Sequence, residues 1–299
     1  MPSTPAADAL RRARAPILDW YGLRRSLYPW RRTRDPYRVL VSEVMLQQTQ
    51  AARVVPAYRA FLRRYPTLSA LARAPMGEVV AAWNGLGHNR RAVWLSEAAR
   101  TIAGEHRGRI PRQREVLARL PGIGPYTAAA IASLAFGRAV PAIDTNVRRV
   151  VSRALLGVDP ADVSSVEVRR LAERWLDRSD PGTWNQALMD LGREICRPRP
   201  RCDRCPVRGA CRFVAEKREP TPSPRRQPPF RGSTREARGA VVRSLRPGSS
   251  STLGELVART GLDRGRIAQA IASLEADGLI EAGPAALAGR PSGRVRLPT

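Results

Sequence analysis

The sequence has almost no lysine and almost no histidine. Lys217 is the one lysine among 299 residues, and His88 and His106 are the two histidines. Because an arginine guanidinium stays protonated, arginine cannot act as an amine nucleophile. Schiff-base chemistry would therefore depend on Lys217 or on the chain's own amino group. Two histidines are too few for a site built from several of them. We therefore expect acid–base chemistry to depend mainly on carboxylates.

Long apolar runs are also missing. A membrane helix needs about 18 apolar residues, and the longest candidates, such as 127–136, fall well short of that. The amino-terminal residues pass directly into Arg11 and Arg12, without the apolar stretch of a secretory signal. We therefore expect a soluble cytoplasmic protein, associated with the nucleoid if it binds DNA, and no membrane partner.

Charge is abundant and mostly of one sign. The chain has 52 Lys and Arg residues against 26 Asp and Glu residues, which gives a formal net charge of +26. An arginine-biased genome could produce such a surface without function, but phosphate neutralisation is the usual reason for it. With 43% hydrophobic residues, the chain can form real cores in about two domains. A nucleic acid is the partner that the charge favours.

The four cysteines lie close together in one loop. Their spacing is C-x5-C-x2-C-x5-C, at Cys196, Cys202, Cys205 and Cys211. In a cytoplasmic chain such a cluster predicts a metal site rather than disulfides. The spacing alone leaves a [4Fe–4S] cluster, a zinc ion and free thiols open, and the single loop fits the cluster at least as well as zinc. Seven arginines within 193–212 also make this loop a basic surface.

The composition divides the chain into three parts. Residues 1–216 are mostly helical in pattern, and residues 217–232 are rich in proline and arginine, as in a linker or a strap. Residues 233–299 predict helices at 235–246, 252–260 and 264–277, then short strands starting at Leu279 and at Arg294. This order is typical of a winged-helix domain, with 264–277 as the helix that would read DNA. A packing module of the same fold is the alternative.

Two local motifs carry chemistry. The first is the stretch Leu120–Thr127, where Gly122 and Gly124 form a turn between helices whose N–H groups can hold a phosphate; it resembles a helix-hairpin-helix motif. In the second, Val140–Val147, an apolar stretch ends in Asp144 before a predicted helix at 147–156. Taken alone, Asp144 could simply cap that helix.

The two motifs together resemble the HhH-GPD superfamily of DNA base-excision glycosylases, and the cysteine loop sits where that superfamily often has a [4Fe–4S] cluster. Four further stretches are similar to the MutY-type adenine DNA glycosylases, over about residues 15–215: Pro29–Arg31, Val41–Gln50, Trp83–Gly87 and Asn185–Gly192. The resemblance implies a mainly α fold, with the helix-hairpin-helix glycosylase domain and its iron–sulfur loop, followed by the small winged-helix-like domain.

The resemblance also implies residue roles. Glu43 would protonate adenine at N7, Asp144 would stabilise the sugar cation, and Asn146 would orient Asp144. Tyr126 would contact both carboxylates. The flipped adenine and the DNA would be held by Arg31, Gln186, Gln48, Thr49, Leu86, His88, Gly122 and Gly124, with Gln48 and His88 acting as wedges in the duplex. The four cysteines would hold the cluster.

Further expectations follow from the resemblance. Relatives similar to endonuclease III have a lysine at the position of Tyr126, so the tyrosine predicts a glycosylase that does not cleave the strand. The partner would be double-stranded DNA with adenine opposite 8-oxoguanine or guanine, bound by a monomer. Residues 233–299 are too short for the Nudix-like domain of longer members, which predicts weaker discrimination between 8-oxoguanine and guanine.

Two other functions fit parts of the pattern. A thymine glycosylase acting on G·T mismatches also has tyrosine at the hairpin position, although the run Met45–Gln50 argues against it. The second alternative is a non-catalytic DNA-binding protein that contains the cluster and reads DNA with the winged helix.

Overall fold

A computed structural model describes residues 12–23, 28–221 and 229–299. The chain forms two compact units, each assembled from separate stretches of sequence. The first takes in the described residues of 1–43, 112–119 and 123–225, and the second those of 44–111, 120–122 and 226–299. The middle of the predicted linker, 222–228, lies outside the described residues, and the domain boundaries at 216 and 233 stay predictions.

Sixteen α-helices and three strands make up the regular structure of the described residues. In chain order the helices are α1 (Arg14–Gly22), α2 (Pro36–Leu46), α3 (Ala51–Arg64), α4 (Leu68–Arg73), α5 (Met76–Ala82), α6 (Arg90–Glu105), α7 (Arg114–Leu117), α8 (Pro125–Phe136), α9 (Thr145–Val151), α10 (Ser165–Trp175), α11 (Pro181–Glu194), α12 (Arg212–Ala215), α13 (Thr234–Ser244), α14 (Leu253–Thr260), α15 (Arg264–Ala276) and α16 (Pro284–Leu287). The strands are β1 (Ser250–Thr252), β2 (Glu281–Ala282) and β3 (Arg294–Arg296). No helix among these residues is long and apolar enough to cross a bilayer.

In the first unit, helix α8 is the buried centre. Its sequence is apolar or small on every face, as expected of a helix with no solvent side. Pro125 starts it at the first helical position, and Gly137 ends it in the left-handed conformation at φ 63°. Helix α11 packs against α8, α9 and α1, and Trp175 meets Trp184 edge to face at 5.3 Å. The mainly helical prediction is confirmed, because no strand occurs in the described residues up to 221.

The prediction of one helix over 147–156 needs a small correction. Helix α9 starts at Thr145, because Asp144 caps it, and the segment Ser152–Leu156 is a π-helical turn that ends at Gly157 in the left-handed conformation. Such turns insert an extra residue into a helix and redirect the side chains that follow. Here the turn carries Arg153, which reaches the cysteine loop.

In the second unit, helices α4 and α5 pack against α6. The ring of Phe61 meets Tyr65 at 4.9 Å and Trp83 at 5.9 Å, both edge to face. This aromatic cluster fills the space between α3 and the end of α5, and Trp83 is completely buried. Helix α6 itself buries Ala92, Val93, Leu95, Ala98, Ala99 and Ile102.

The carboxy-terminal part of the second unit combines helices α13, α14 and α15 with a three-stranded antiparallel sheet of order β1–β3–β2. The three helices lie close to where the sequence predicts them. The first wing strand was predicted to start at Leu279, but the strand is Glu281–Ala282. Leu279 instead donates its N–H to Leu274 and is buried under the end of α15. Strand β1 was not predicted; Ser251 in β1 and Ala282 in β2 both pair with Val295.

Candidate active site

Glu43 and Tyr126 form a hydrogen-bonded pair inside the first unit. Glu43 comes from helix α2 and is 2% exposed, and the Tyr126 hydroxyl, on the first turn of α8, donates to its Oε2 over 3.1 Å. Burial raises the pKa of Glu43, while Arg31 and the bond from Tyr126 lower it in part. Burial also raises the pKa of Tyr126 well above its usual value, so the phenol stays a proton donor. A buried carboxyl of this kind can hold a proton near neutral pH.

Both carboxyl oxygens of Asp144 accept hydrogen bonds from neighbouring groups. Its Oδ1 accepts from the Val147 N–H over 2.7 Å, which caps helix α9, and its Oδ2 accepts from the Asn146 amide over 2.8 Å. Arg149 in turn donates to the Asn146 oxygen over 2.9 Å and fixes that amide. Burial raises the pKa of Asp144, and the Val147 and Asn146 hydrogen bonds oppose that shift. The cap that the sequence allowed as an alternative is thus present, together with the Asn146 bond that the resemblance implied.

Helix α11 fixes the backbone that leads to Asp144. The Asn185 side chain is buried, donates to Ser133 and to the Val140 carbonyl, and accepts from the Ala142 N–H. The Val140 carbonyl and the Ala142 N–H, in the loop before Asp144, thus have hydrogen-bond partners within the protein. At Gly192 an added Cβ would lie 2.7 Å from the Asn146 Cβ, so only glycine lets α9 approach this closely.

The residues implied for adenine also lie on this unit. Arg31 donates to Asp190 over 2.8 Å in a buried ion pair, and its Nε and Nη1 have no partner among the described residues. The Gln186 oxygen accepts from the Tyr21 hydroxyl over 2.6 Å. A cavity of about 260 Å³ lies beside them, lined in part by Arg31, Thr33, Leu134, Gly182 and Gln186. A second cavity, of about 270 Å³, is lined in part by Tyr126, Pro141 and Ile143.

Gln48 and His88, which the resemblance predicts to act as wedges, lie on two loops of the second unit, 46–50 and 85–89, called here the wedge loops. Gln48 and His88 both have left-handed backbones, at φ 54° and 45°. Residues other than glycine rarely take this conformation, which stores about 1–3 kcal/mol at each position and clusters at functional sites. Thr49 donates to the carbonyl of Leu86 over 3.4 Å, so the two loops touch.

Arg91 ties these two loops together. Its guanidinium donates to the carbonyls of Val44, Met45, Gln47 and Gly87 and to the Thr49 hydroxyl. Burial lowers the pKa of Arg91 to about 10, so it remains charged at neutral pH. No sequence signal marked this residue, because arginines are so frequent in the chain.

The glycines of the hairpin have different roles. Gly122 has φ 71°, and an added Cβ would lie 2.6 Å from the Trp94 Cβ. Its carbonyl accepts from the Gln47 amide over 3.3 Å. Gly124 is the extended residue before helix α8, where a free helix N-terminus can bind phosphate. The turn thus has the geometry that the sequence predicted.

The cysteine loop is anchored by arginines of helix α9 and its π-helical turn. Arg149 donates to the Cys196 carbonyl, and Arg153 donates to the carbonyls of Arg197 and Pro198. Asp159 forms a buried ion pair with Arg153. Burial raises the pKa of the Cys205 thiol, and the charges of the other three cysteines add to that shift, so the four thiols lie near one another. No group of three or more His, Cys, Asp or Glu side chains among the described residues is arranged to hold a metal ion, so the cluster stays an expectation from the spacing and the resemblance.

Comparisons with known proteins agree with this arrangement. Residues 41–178 match the HhH-GPD superfamily of base excision DNA repair proteins. Adenine DNA glycosylase of Mycolicibacterium smegmatis is 40% identical over 268 residues, covering 89% of this chain and 91% of the relative. The human adenine DNA glycosylase is 44% identical over 211 residues, 67% of this chain and 39% of the human protein.

Among solved structures, a thermostable thymine-DNA glycosylase is 32% identical with a TM-score of 0.65, over 70% of this chain and 98% of that protein. The match to M. smegmatis spans nearly the whole of both chains, and the structural match reproduces the helical fold. The chain therefore belongs to the HhH-GPD superfamily of base excision DNA repair proteins, within the family of the adenine DNA glycosylases.

Proposed function

We propose that this DNA glycosylase hydrolyses the N-glycosidic bond of adenine opposite 8-oxoguanine or guanine, and leaves the strand intact. The observation that carries the proposal is the pair of buried carboxyls with unlike partners, Glu43 and Asp144. Cleavage of a glycosidic bond needs an acid at the leaving group and a carboxylate near the sugar. The environment of Glu43 suits the acid, and that of Asp144 suits the carboxylate near the sugar.

Glu43 is suited to the acid's task. With its pKa raised by burial, it can transfer a proton to N7 of adenine as the C1′–N9 bond breaks and its electron pair moves to the base. Asp144, capped and hydrogen-bonded as a carboxylate, then stabilises the positive charge on the sugar. Water adds at C1′ and its proton leaves, so the products are adenine and an abasic site.

Arg31 and Gln186 support the assignment of a purine as the leaving group. Arg31 has two buried N–H donors without partners in the described residues, and such donors are unfavourable unless a ligand satisfies them. Ring nitrogens of a flipped adenine are acceptors of the right kind. The Tyr21 bond to Gln186 leaves the amide nitrogen of Gln186 as a further donor.

The duplex must open before any of this chemistry can occur. Flipping a base out of the stack requires a few kcal/mol and leaves a gap that the protein has to fill. Gln48 and His88, both exposed and both with a left-handed backbone, are the residues we assign to that gap. Thr49 and Leu86 brace them, and Gly122 and Gly124 bind the backbone.

Strand cleavage is not expected. Tyr126 stands at the hairpin position where a lysine would form a Schiff base, and a phenol cannot do so. Lys217, the one lysine of the chain, is exposed on the turn after α12. The abasic product should therefore break only when alkali is added.

A [4Fe–4S] cluster is the cofactor we propose for Cys196, Cys202, Cys205 and Cys211. Its role when bound is to order the basic loop for phosphate contact, since both carboxyls lie on other segments. Iron and acid-labile sulfide should be found at about four each per chain, as the cluster's formula requires. One zinc per chain, or thiols without metal, would instead establish one of the alternatives left open by the spacing.

The decisive experiment is base release from four duplexes: adenine opposite 8-oxoguanine, adenine opposite guanine, thymine opposite guanine, and matched A·T. Each is analysed with and without alkali. Adenine release from the first two, with strand breaks only after alkali, is the expected result. Thymine release from G·T would move the protein to the related thymine branch.

Glu43→Gln separates catalysis from binding. The amide keeps the size of the side chain but has no acidic proton, so base release should fall by about 10²–10⁴-fold, the usual effect of losing a general acid. DNA affinity should stay within about twofold. Loss of base release in Glu43→Gln with DNA binding kept would reject the non-catalytic alternative, whereas tight DNA binding by the native chain without release from any duplex would support it.

A further inference from the structure

A basic cavity of about 490 Å³ lies within the second unit, and neither Glu43 nor Asp144 lines it. It is bordered on one side by the wedge loops, including Gln48 and His88, and on the other by helix α13. Its lining contains six arginines and a single carboxylate, Asp277; the arginines are Arg53, Arg90, Arg91, Arg235, Arg238 and Arg243. Cavities of this size accept ligands as large as a nucleotide, and this charge predicts an anionic one.

Several of these arginines are already neutralised or engaged. Asp277 forms ion pairs with Arg90 of α6 at 3.3 Å and with Arg238 of α13 at 2.6 Å. Arg91 is bound to backbone carbonyls, and Arg53 donates to the carbonyl of Gly85. Asp277, the one carboxylate of the lining, is therefore already paired. Six arginines against this single carboxylate give the lining a net positive charge.

Arg243 and Arg235 add two exposed guanidinium groups to the lining. Arg243 is exposed and has no carboxylate partner among the described residues. Arg235 is exposed as well, and it is close enough to His88 for its charge to help lower the imidazole pKa. His88 is therefore neutral at physiological pH, which leaves its ring suited to stacking while the arginines supply the charge.

Helix α13 presents these groups on one face. Positions 235, 238, 239 and 243 recur at helical spacing and all line the cavity, while Ala237, Val241 and Val242 form the buried face. Phe230, just before the helix, is 56% exposed and also lines the cavity. Arginines beside an exposed aromatic ring are typical of surfaces that bind nucleic acid strands.

The helix that a winged-helix domain normally uses is less available. At the start of α15, Arg266 is paired with Glu236 at 2.9 Å, and Asp263 caps the first turn by accepting from the Arg266 N–H. Of the two arginines in that turn, Arg264 is exposed and Arg266 is half-buried. The arginines of the carboxy-terminal part that line the cavity all belong to α13, and α15 contributes none.

We propose that this cavity is a second DNA-binding site, in which Arg235 and Arg243 bind phosphates of the strand opposite the excised adenine and Phe230 offers a stacking surface. The inference rests on the proposed function in one respect: the opposite strand is assigned because Gln48 and His88, the proposed wedge, line the same cavity. The carboxy-terminal part then holds DNA through helix α13 and acts beside the wedge loops.

The test uses the full chain and a duplex with a tetrahydrofuran abasic analogue opposite guanine, which has no base to lose. The dissociation constant is measured over a range of salt concentrations for Arg235→Ala/Arg243→Ala. Losing two phosphate contacts should lower the slope of log Kd against log salt by about 1.8 and weaken binding by about tenfold or more at low salt. Arg290→Ala, an exposed arginine of the same part that does not line the cavity, should stay within about twofold.

Two results would overturn the proposal: an unchanged slope in Arg235→Ala/Arg243→Ala, or a loss of affinity confined to Arg264→Ala, which would assign the contact to α15. Methylphosphonates, which are uncharged, test the strand assignment. Placed opposite the analogue, they should remove the affinity difference between the native chain and Arg235→Ala/Arg243→Ala; if they do so only in the analogue's own strand, the strand assignment is wrong.

The two proposals can fail separately. Native protein that releases no adenine, but whose affinity depends on Arg235 and Arg243, would reject the proposed function and keep the second site. Adenine release by a protein whose DNA affinity does not depend on Arg235 and Arg243 would keep the proposed function and reject the second site. Thermal unfolding of each variant shows that a change in affinity does not come from loss of fold.

Discussion

The guanidinium of Arg31 donates to the carboxylate of Asp190 over 2.8 Å, and the two side chains are 5% and 7% exposed. The pair joins the short 3-10 turn that carries Arg31 to helix α11. Asp190 is the one carboxylate bonded to a guanidinium that is otherwise without partners among the described residues. Both the stability of the first unit and the position of Arg31 thus depend on it.

Asp190→Asn should therefore destabilise the protein strongly. Removing one partner of a buried ion pair leaves an uncompensated charge and usually costs about 3–5 kcal/mol. Glu78→Gln is the matched control, because Glu78 pairs with Arg64 at 2.8 Å on the surface, where such pairs contribute about 0–1 kcal/mol. Urea unfolding of both variants measures the difference; similar losses in the two would contradict the structural role given to Asp190.

The pH dependence of base release should be bell-shaped. Glu43 must be protonated to act as an acid, so activity falls as pH rises through its raised pKa. Asp144 must be ionised, so activity falls as pH drops through its own pKa, which burial also raises. Single-turnover rates across pH report both limbs.

Tyr126→Phe should move one limb of this profile. The hydroxyl of Tyr126 stabilises the Glu43 carboxylate and lowers its pKa, so its removal should raise that pKa and shift the alkaline limb to higher pH. The acidic limb, set by Asp144, should stay in place. Tyr65→Phe makes the same chemical change in the second unit and should leave both limbs unmoved. A shift of the alkaline limb to lower pH in Tyr126→Phe would refute the assignment of Glu43 as the acid.

Arg91→Lys should loosen the wedge loops. Lysine keeps the charge but offers three donors at one point, which cannot reach the carbonyls of Met45 and Gly87 at once. Amide exchange in residues 46–50 and 85–89 should become about tenfold faster, which corresponds to about 1.4 kcal/mol. Base release should slow in parallel, since the wedge is less well held.

Arg100→Lys provides the comparison for Arg91→Lys. It lies on the same helix, α6, and its guanidinium also bonds to two carbonyls, of Ala72 and Ala74, but at an exposed site. Hydrogen exchange in the wedge loops should not change in this variant. Equal acceleration in both variants would mean that the effect belongs to helix α6 as a whole and not to Arg91.

Gly77→Ala should separate the carboxy-terminal residues from helix α5. Gly77 donates its N–H to the Pro298 carbonyl over 2.8 Å, and an added Cβ would lie 2.5 Å from that oxygen. Forcing the two segments apart should cost about 1–3 kcal/mol. Gly104→Ala meets nothing within 4 Å on the exposed face of α6 and should stabilise the protein by about 0.5–1 kcal/mol. A shared sign in the two unfolding measurements would contradict this packing.

The sequence predicted the site best where the interacting residues are close together in the chain. Asp144 stands at a helix start, so its cap follows from short-range rules, whereas its bond from Asn146 was expected only from the resemblance. The Tyr126 bond to Glu43 spans 83 positions and was reached only through the resemblance. The site roles of Glu43 and Asp144 stay predictions until base release is measured.

The residues that sequence reasoning missed are long-range partners. Arg91, Asp190 and Tyr21 resemble many other residues of their type, and only the folded chain shows which are buried and paired. Strand β1, Ser250–Thr252, has no apolar alternation, and its partner β3 is distant in the chain, with Ser251 paired to Val295. The density of arginine hid, in the same way, which of them line the cavity beside α13.

At positions 48 and 88, the left-handed backbone puts selection for thermal stability in conflict with selection for base excision. Glycine at either position should relieve the backbone strain and make the chain more resistant to heat, yet it would remove the side chain that we propose to fill the opened duplex. A library screened only for thermal tolerance would therefore drift toward enzymes that survive heating and repair poorly. Engineers of this scaffold should hold positions 48 and 88 fixed and seek stability elsewhere, for example at position 104.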